Sequence, residues 1–233
     1  MSNNKIKRMN VEFYFNQIKN ILEENGNPFY AEKQSKYLKN HFQFYGHKAV
    51  QWMAIFNNFT KEYGYIENEN ISCFIKLCFE SEYRELQYMA IEMTQRIYKQ
   101  WDDQIINELE FMIANKSWWD TVDWLAKLVG MFFMKFPEQK IAFFQKWKVS
   151  NYMWFNRIAI IFQLHYRQST DFELIKEAII YHQYSKEFFI RKAGGWALRT
   201  YSRYEPKLVL EFVDQNPQLS GLTKREAIRN ILL

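Results

Sequence analysis

Apolar residues recur along this chain in amphipathic stretches of roughly 10 to 18 residues, separated by breaks of a few residues. This periodicity is typical of α-helices, and such short connections force consecutive helices to lie antiparallel. The pattern predicts helices over residues 10–24, 28–44, 47–62, 70–80, 83–100, 102–114, 118–135, 137–148, 152–167, 171–183, 186–202, 206–215 and 223–232.

Turn and capping residues mark several helix ends. The segment NGNP at 25–28 predicts a helix stop at its glycine, then an asparagine cap with proline in the first helical position. Three Ser/Thr-x-x-Asp/Glu patterns, in which a hydroxyl can accept from the first free N–H groups, predict further starts at Ser117, Thr170 and Thr223.

A repeat appears when the helices that begin with aromatic residues are aligned. WFNRIA at 154–159 matches FFIRKA at 188–193 at a spacing of 34 residues, LQYMA at 86–90 corresponds to both, and WDTVD at 119–123 occupies the slot between. A period near 34 residues of paired helices is typical of HEAT-like α-solenoids, whose repeats bury their faces against their neighbours. We therefore expect an all-α fold, a curved and concave single domain of HEAT-like antiparallel helix pairs over residues 1–233.

Composition supports this fold and adds a functional hint. Only 7 glycines and 4 prolines occur, too few turn-formers for a β-sandwich or a β-barrel with many hairpins. Aromatic residues make up 19% of the chain, more than a helical core needs. Some of the rings should therefore line a surface or a groove.

The charge is uneven along the chain. Residues 1–40 carry 7 basic and 4 acidic groups, residues 41–150 carry 12 and 14, and residues 151–233 carry 12 and 8. Basic ends favour a polyanion such as nucleic acid, and a solvated basic surface is the alternative interpretation.

The cysteines and the apolar runs indicate the compartment. Cys73 and Cys78 point about 140° apart on a helix, which predicts buried thiols in a reducing compartment. No apolar run approaches the ~20 residues of a membrane span, and no leader is recognisable, so we expect a soluble, cytoplasmic protein without a membrane partner.

Most enzyme signatures are absent. The sequence contains no G-x-S-x-G, no P-loop and no G-x-G-x-x-G, and its adjacent glycines at 194–195 lie inside a helical pattern. Its four histidines have no metal-ligand spacing with each other or with the cysteines. We therefore expect neither a metal nor a cofactor.

One constellation does indicate chemistry. Trp119 and Asp123 are four residues apart and therefore share a helix face. In the repeat alignment Asp123 occupies the position of Ala90, Ala159 and Ala193, where a carboxylate is costly to desolvate unless it lines a cleft or has a partner. A ring beside a carboxylate suits a cationic or electron-poor ligand, whereas ordinary core packing is the alternative.

The chain also carries five longer motifs: YLKNHF (37–42), KSWWDTVDWLA (116–126), WFNRIAIIFQL (154–164), SKEFFIRKAGGWALRTY (185–201) and TKREAI (223–228). In order and spacing they closely resemble the AlkD-type DNA glycosylases, among which the SWWDxVD motif is specific. That family consists of HEAT-like repeat proteins that remove cationic N3- and N7-alkylated purines from DNA.

The resemblance implies a role for each matching residue. Asp123 would be the catalytic carboxylate that stabilises an oxocarbenium-like sugar and positions water. Trp119 and Trp196 would pack against the deoxyribose, with buried helix packing as the alternative. Arg157 would hold the adjacent phosphate, with a solvated surface charge as the alternative. Further DNA contacts would come from Tyr37, Phe188, Phe189, Arg191, Arg199 and Lys48. Core packing is the alternative for the three aromatic residues. For the two arginines the alternative is a solvated helix surface.

The implied activity is monofunctional glycosylase hydrolysis in double-stranded DNA containing alkylated purines such as 3-methyladenine and 7-methylguanine. It would need no metal or cofactor, and we expect a monomer. The sequence departs from the family where Pro and Arg commonly follow the glycine at 46, and at His165, where lysine is common. Because these changes remove cations that would meet phosphate, two alternatives stay open: a paralogue with little excision activity that binds DNA structures, and a protein-binding solenoid.

Overall fold

The structure, a computed structural model, describes residues 10–231. In that range the regular elements are thirteen α-helices and three short 3-10 helices, without a strand. The predicted all-α class is confirmed, and the arrangement is consistent with an α-solenoid. The α-helices are α1 (Val11–Glu24), α2 (Pro28–Tyr37), α3 (Ala49–Tyr63), α4 (Asn68–Glu80), α5 (Arg84–Arg96), α6 (Ile105–Ala114), α7 (Trp119–Lys135), α8 (Lys140–Lys148), α9 (Met153–Ile161), α10 (Phe172–Tyr181), α11 (Phe188–Tyr201), α12 (Pro206–Gln215) and α13 (Gly221–Ile228).

The backbone contacts divide the chain into two compact units, one ending at Glu108 and the other beginning at Leu109, within α6. The single domain over residues 1–233 stays a prediction. Among the described residues, none of the helices combines the length and the apolar character needed to cross a bilayer.

The first unit is built around α1 and α4. Helix α1 packs against α3 and α4, and α4 packs against α5. Tyr14 on α1 is buried between the edges of Phe59 and Phe74, with ring centroids 4.7 and 5.6 Å away. Its hydroxyl donates a 2.8 Å hydrogen bond to the Gly64 carbonyl at the end of α3. These contacts fix α1 by apolar burial together with one satisfied polar group.

Helix α2 ends at Tyr37 rather than at residue 44. The backbone at Lys39 and Asn40 has φ angles of 56° and 60°, in the left-handed region that ends a helix. The cap predicted at Asn27 is confirmed, since its side chain accepts from the backbone N–H groups of Phe29 and Tyr30 at 3.1 and 3.3 Å.

A buried turn follows α2, in the region where the sequence departs from the glycosylase pattern. The backbone N–H groups of Tyr45, Gly46 and His47 donate to the buried Glu85 carboxylate at 3.1, 2.9 and 3.2 Å. Because this carboxylate satisfies three backbone donors in the interior, it fixes the path of the turn. Lys48 follows it as an exposed residue, with its Nζ 4.3 Å from the centre of the Tyr30 ring.

In the second unit, α9 is the central helix, packed against α7, α8, α10 and α11. Its residues from Asn156 to Ile161 are all buried. Helix α7 approaches the end of α9 closely at Gly130, where an added Cβ would lie 2.4 Å from the carbonyl oxygen of Phe162. The Tyr166 hydroxyl donates to the Gly130 carbonyl at 2.8 Å and ties the two segments together.

A second close approach joins α11 to α13. A Cβ added at Gly195 would lie 2.4 Å from Cβ of Glu226 and 2.9 Å from the carbonyl oxygen of Thr223. The Thr223 hydroxyl also donates to the carbonyl of Arg191 at 3.0 Å. The two glycines lie inside a helix, as predicted, and Gly195 is there because the helices leave no room for a side chain.

Several local predictions of caps, helix ends and burial were wrong. The Ser117 hydroxyl donates to the Ile113 carbonyl and does not cap α7. Asp171 caps α10 in place of Thr170, and Ser220 caps α13 in place of Thr223. Helix α9 ends at Ile161 rather than at residue 167, and Cys73, predicted to be buried, is exposed.

Candidate active site

The second unit contains an open cavity of about 280 Å³ between α7, α9 and α11. Its walls combine four aromatic rings, one carboxylate and three cationic side chains: Trp119, Asp123, Arg157, Phe188, Phe189, Lys192, Trp196 and Arg199. Rings around a few charged groups are the usual composition of a small-ligand site.

Helical periodicity explains how this wall forms. On α11 Phe188, Lys192, Trp196 and Arg199 follow one another at spacings of four, four and three residues, which places them on one face. On α7 Trp119 and Asp123 are one turn apart, as the sequence predicts. Two helices thus supply most of the cavity wall.

Asp123 is held by Arg157 from α9. The Arg157 Nε donates to Oδ1 at 2.7 Å and Nη2 donates to Oδ2 at 2.8 Å, and Nη1 donates to the carbonyl of Phe189 at 2.6 Å. The Arg157 side chain is 4% exposed and that of Asp123 is 20% exposed. The pair is therefore largely desolvated, while the carboxylate keeps access to the cavity.

Burial is the larger influence on the acidity of Asp123. It raises the pKa of this carboxyl above the ordinary aspartate value, against the opposing hydrogen bonds and positive charge of Arg157. The nearby Asp120 raises the pKa further. Arg157 therefore determines how far the carboxyl remains ionised in a site that desolvates it.

An aromatic cluster supports the same wall. Phe189 packs against Trp154 and Trp118 with ring centroids 5.0 and 5.2 Å away, and against Phe188 at 5.3 Å. The guanidinium carbon of Arg157 lies 5.9 Å from the centre of the Phe189 ring. Phe189 thus contacts the arginine through its ring and its carbonyl, and it fixes the side of the guanidinium away from Asp123.

The two other cations of the wall share one carboxylate. Lys192 Nζ donates to Oε1 of Glu226 at 2.7 Å, and Arg199 Nη1 donates to Oε2. Sequence reasoning missed Lys192 and Glu226. The spacing of four residues from Phe188 and from Trp196 is a signal for Lys192. Glu226 comes from another helix, and neither the capping pattern at Thr223 nor the TKREAI motif, which both contain it, connects it to the cavity.

The structure brings seven of the ten predicted residues to the cavity: Trp119, Asp123, Arg157, Phe188, Phe189, Trp196 and Arg199. Arg191 is not in the wall, because its Nε donates to the carbonyl of Ser185 at 2.7 Å. Tyr37 and Lys48 belong to the first unit and are exposed. The roles of all ten stay predictions.

Exposure decides three of the open alternatives. Tyr37 and Phe188 are 72% and 57% exposed, so neither is a core-packing ring. Arg157, for which a solvated surface was the alternative, is instead buried.

The comparisons with known proteins give the family. The family model described as DNA alkylation repair enzyme matches residues 18–231. The chain belongs to the DNA alkylation repair enzyme family. It is similar to a solved structure described as a predicted DNA alkylation repair enzyme from Enterococcus faecalis, at 31% sequence identity and a TM-score of 0.81, with 88% of this chain and 95% of that chain covered. No curated protein matches the sequence significantly.

In this member of the DNA alkylation repair enzyme family, the match includes every residue of the cavity wall and Glu226. Within residues 10–231, no group of three or more His, Cys, Asp or Glu side chains is arranged to hold a metal ion. The side chains that can do chemistry in the wall are the carboxylate, the three cations and the rings.

Proposed function

We propose that this protein is a monofunctional DNA N-glycosylase. Its substrate would be duplex DNA that contains cationic N3- or N7-alkylated purines, such as 3-methyladenine and 7-methylguanine. The observation that carries the proposal is the Asp123 carboxylate in the wall of an open cavity lined by aromatic rings, where the Arg157 guanidinium binds it through two hydrogen bonds. Membership in the repair family supports DNA as the partner.

The reaction divides the work between substrate and enzyme. An alkylated purine already carries a positive charge, so the electron pair of the glycosidic bond leaves with the base and neutralises it. The deoxyribose becomes oxocarbenium-like, and a negative carboxylate beside it lowers the energy of that transition state. Water adds to C1′ and loses a proton, which leaves an abasic sugar. Asp123 would stabilise the cationic sugar and orient this water.

The rings would contribute through geometry and electrostatics. Trp119 and Trp196 contribute indoles to the cavity wall. An indole face attracts positive charge, and rings against a sugar exclude bulk water that would screen the carboxylate. The two tryptophans would therefore favour the sugar as it gains positive charge.

Arg157 would act first on Asp123. Three of its five N–H donors are used by the Asp123 carboxylate and the Phe189 carbonyl. This arrangement keeps the carboxylate in one orientation and opposes its protonation. The remaining N–H groups are the ones that could bind the phosphate beside the lesion.

The test compares base release by the wild-type protein and by Asp123→Asn. Each protein is incubated with duplex DNA methylated at random, and freed bases are separated by chromatography against a no-protein control. We expect wild type to release 3-methyladenine and 7-methylguanine and Asp123→Asn to be slower by about 10²-fold or more.

The matched control is Asp214→Asn, which makes the same change at an exposed position on α12. It should release bases at the wild-type rate. No release by wild type above the no-protein control would reject the glycosylase. Equal rates for wild type and Asp123→Asn would reject the role of the carboxylate.

A further inference from the structure

We propose that Glu226 is a positioning residue that holds Lys192 and Arg199 as a phosphate-binding pair in the cavity wall. This inference rests on the proposed function in taking DNA as the ligand. It assigns a role to a carboxylate that does not itself line the cavity and to a lysine that local sequence patterns did not single out.

The geometry gives each cation its own oxygen. Lys192 and Arg199 lie on the cavity face of α11, seven residues and therefore about 10 Å apart along the helix axis. Glu226 reaches between them from α13, with Oε1 accepting from Lys192 at 2.7 Å and Oε2 accepting from Arg199. One carboxylate thus restrains two long side chains that would otherwise sample many rotamers.

Glu226 differs from an ordinary surface ion pair in its rigidity. Its side chain is 12% exposed, and it lies at the close approach of α13 to Gly195. The Thr223 hydroxyl anchors the same helix to α11 through the carbonyl of Arg191. The hydrogen bond from Lys192, more than the charge of Arg199, lowers the pKa of Glu226, so the group stays ionised near neutral pH.

The charges at the wall define what the cluster can bind. Asp123 and Arg157 neutralise each other, whereas Lys192, Arg199 and Glu226 together leave one positive charge. Both cations have further N–H donors beyond those given to Glu226, and these can bind phosphate oxygens. The carboxylate therefore weakens the overall attraction for DNA while it fixes where the two cations stand.

This trade-off predicts that Glu226→Gln raises the affinity for duplex DNA and lowers the excision rate. Glutamine keeps the size of the side chain but leaves two positive charges that are no longer held in place. Binding to undamaged duplex should become tighter at 50 mM salt, and the slope of log affinity against log salt should steepen by about 0.9, equivalent to one phosphate contact. The single-turnover excision rate should fall by about tenfold, because the phosphates next to the lesion are held less accurately.

The experiment measures duplex binding by fluorescence anisotropy at several salt concentrations, and excision on methylated duplex. The matched control is Glu211→Gln on α12, which removes one negative charge beside a different cavity. It should change the salt slope little and leave excision unchanged. The double variant Lys192→Gln/Arg199→Gln should make the slope shallower than that of wild type by about 0.9, because one net phosphate contact is lost. Adding Glu226→Gln to it should have no further effect on the slope, because no cation remains for Glu226 to neutralise.

The outcomes separate this inference from the glycosylase proposal. An unchanged salt slope in Glu226→Gln, or equal slopes for wild type and the lysine–arginine double variant, overturns the phosphate-binding pair. A parallel loss of binding, excision and thermal stability in Glu226→Gln overturns the phosphate-binding pair too, because a residue needed only for the folded structure would lower all three together. If wild type releases no bases, the glycosylase proposal fails, and the slopes on undamaged duplex still decide the role of Glu226.

Discussion

Arg157 binds Asp123 through two parallel hydrogen bonds, Nε to Oδ1 at 2.7 Å and Nη2 to Oδ2 at 2.8 Å. The guanidinium is the more deeply buried partner, and its third prong binds the Phe189 carbonyl. The chemistry of the cavity therefore depends on a buried arginine that stabilises the Asp123 carboxylate, while this carboxylate lines the cavity where a ligand would bind.

The pH dependence of excision should report this pair. Because the pKa of Asp123 is raised, excision should fall with decreasing pH through a value above that of ordinary aspartate. Arg157→Gln removes the influences that lower this pKa, so the acid limb should move to higher pH. Single-turnover rates across the pH range test this, and an unshifted limb in Arg157→Gln would contradict it.

The same shift sets the sign of the stability effect. A carboxyl whose pKa is higher in the folded state binds its proton more tightly there than in the unfolded chain. Its contribution to stability is therefore greatest below the unfolded pKa and is lost as the pH rises through the folded pKa. Asp123→Asn should remove this dependence, so the free energy of unfolding of wild type should fall relative to Asp123→Asn as the pH rises from the ordinary aspartate pKa through the raised pKa of Asp123.

Breaking the pair from either side should have unequal costs. Asp123→Ala leaves a buried guanidinium that cannot deprotonate, which should lower the free energy of unfolding by about 3–5 kcal/mol. Arg157→Met leaves a carboxyl that can take up a proton and should cost less. The double variant Asp123→Ala/Arg157→Met should recover stability relative to Asp123→Ala in urea unfolding, because no unpaired charge is left buried. Simple additivity of the two single effects would count against a coupled pair.

The adjacent glycines of α11 should differ sharply in their tolerance of alanine. At Gly195 a Cβ would lie 2.4 Å from Cβ of Glu226, so Gly195→Ala should push α13 away and cost about 1–3 kcal/mol. At Gly194 the nearest atoms are at 3.4 Å, an ordinary contact, and Gly194→Ala should be neutral or gain up to about 1 kcal/mol from helix propensity. Thermal unfolding compares the two variants directly. Equal melting temperatures would show that α13 can move away from α11 without a measurable loss of stability.

Two glycines on either side of α3 offer a similar comparison in the first unit. Gly46 has a φ of 98°, and a Cβ there would lie 2.0 Å from the carbonyl oxygen of Asn27. Gly64 has a φ of 81° with nothing within 4 Å of an added Cβ. With a ψ of 180°, Gly64 lies in a region that essentially only glycine adopts, so Gly64→Ala should cost about 1–3 kcal/mol from backbone strain alone. Gly46→Ala should cost more, because strain and collision add. Chemical denaturation of both variants measures the difference.

Local patterns in the sequence determined the helices and much of the cavity wall. Within residues 10–231 the helices, and the shared faces of Trp119 with Asp123 and of Phe188 with Trp196, follow from spacings of three and four residues. The asparagine cap at 27 follows from the segment NGNP. These features depend on backbone geometry within one or two turns, which the order of residues specifies directly. The all-α class was predictable for the same reason.

Tertiary packing decided which polar groups meet. Arg157 and Asp123 are 34 residues apart, as are Lys192 and Glu226, and neither pairing has a local signal. Arg191 and Arg199 look alike in the sequence, yet one binds a backbone carbonyl outside the wall and the other lines the cavity. Burial and ion pairing depend on which helices approach closely, and that approach depends on contacts across the unit, such as those at Gly130 and Gly195.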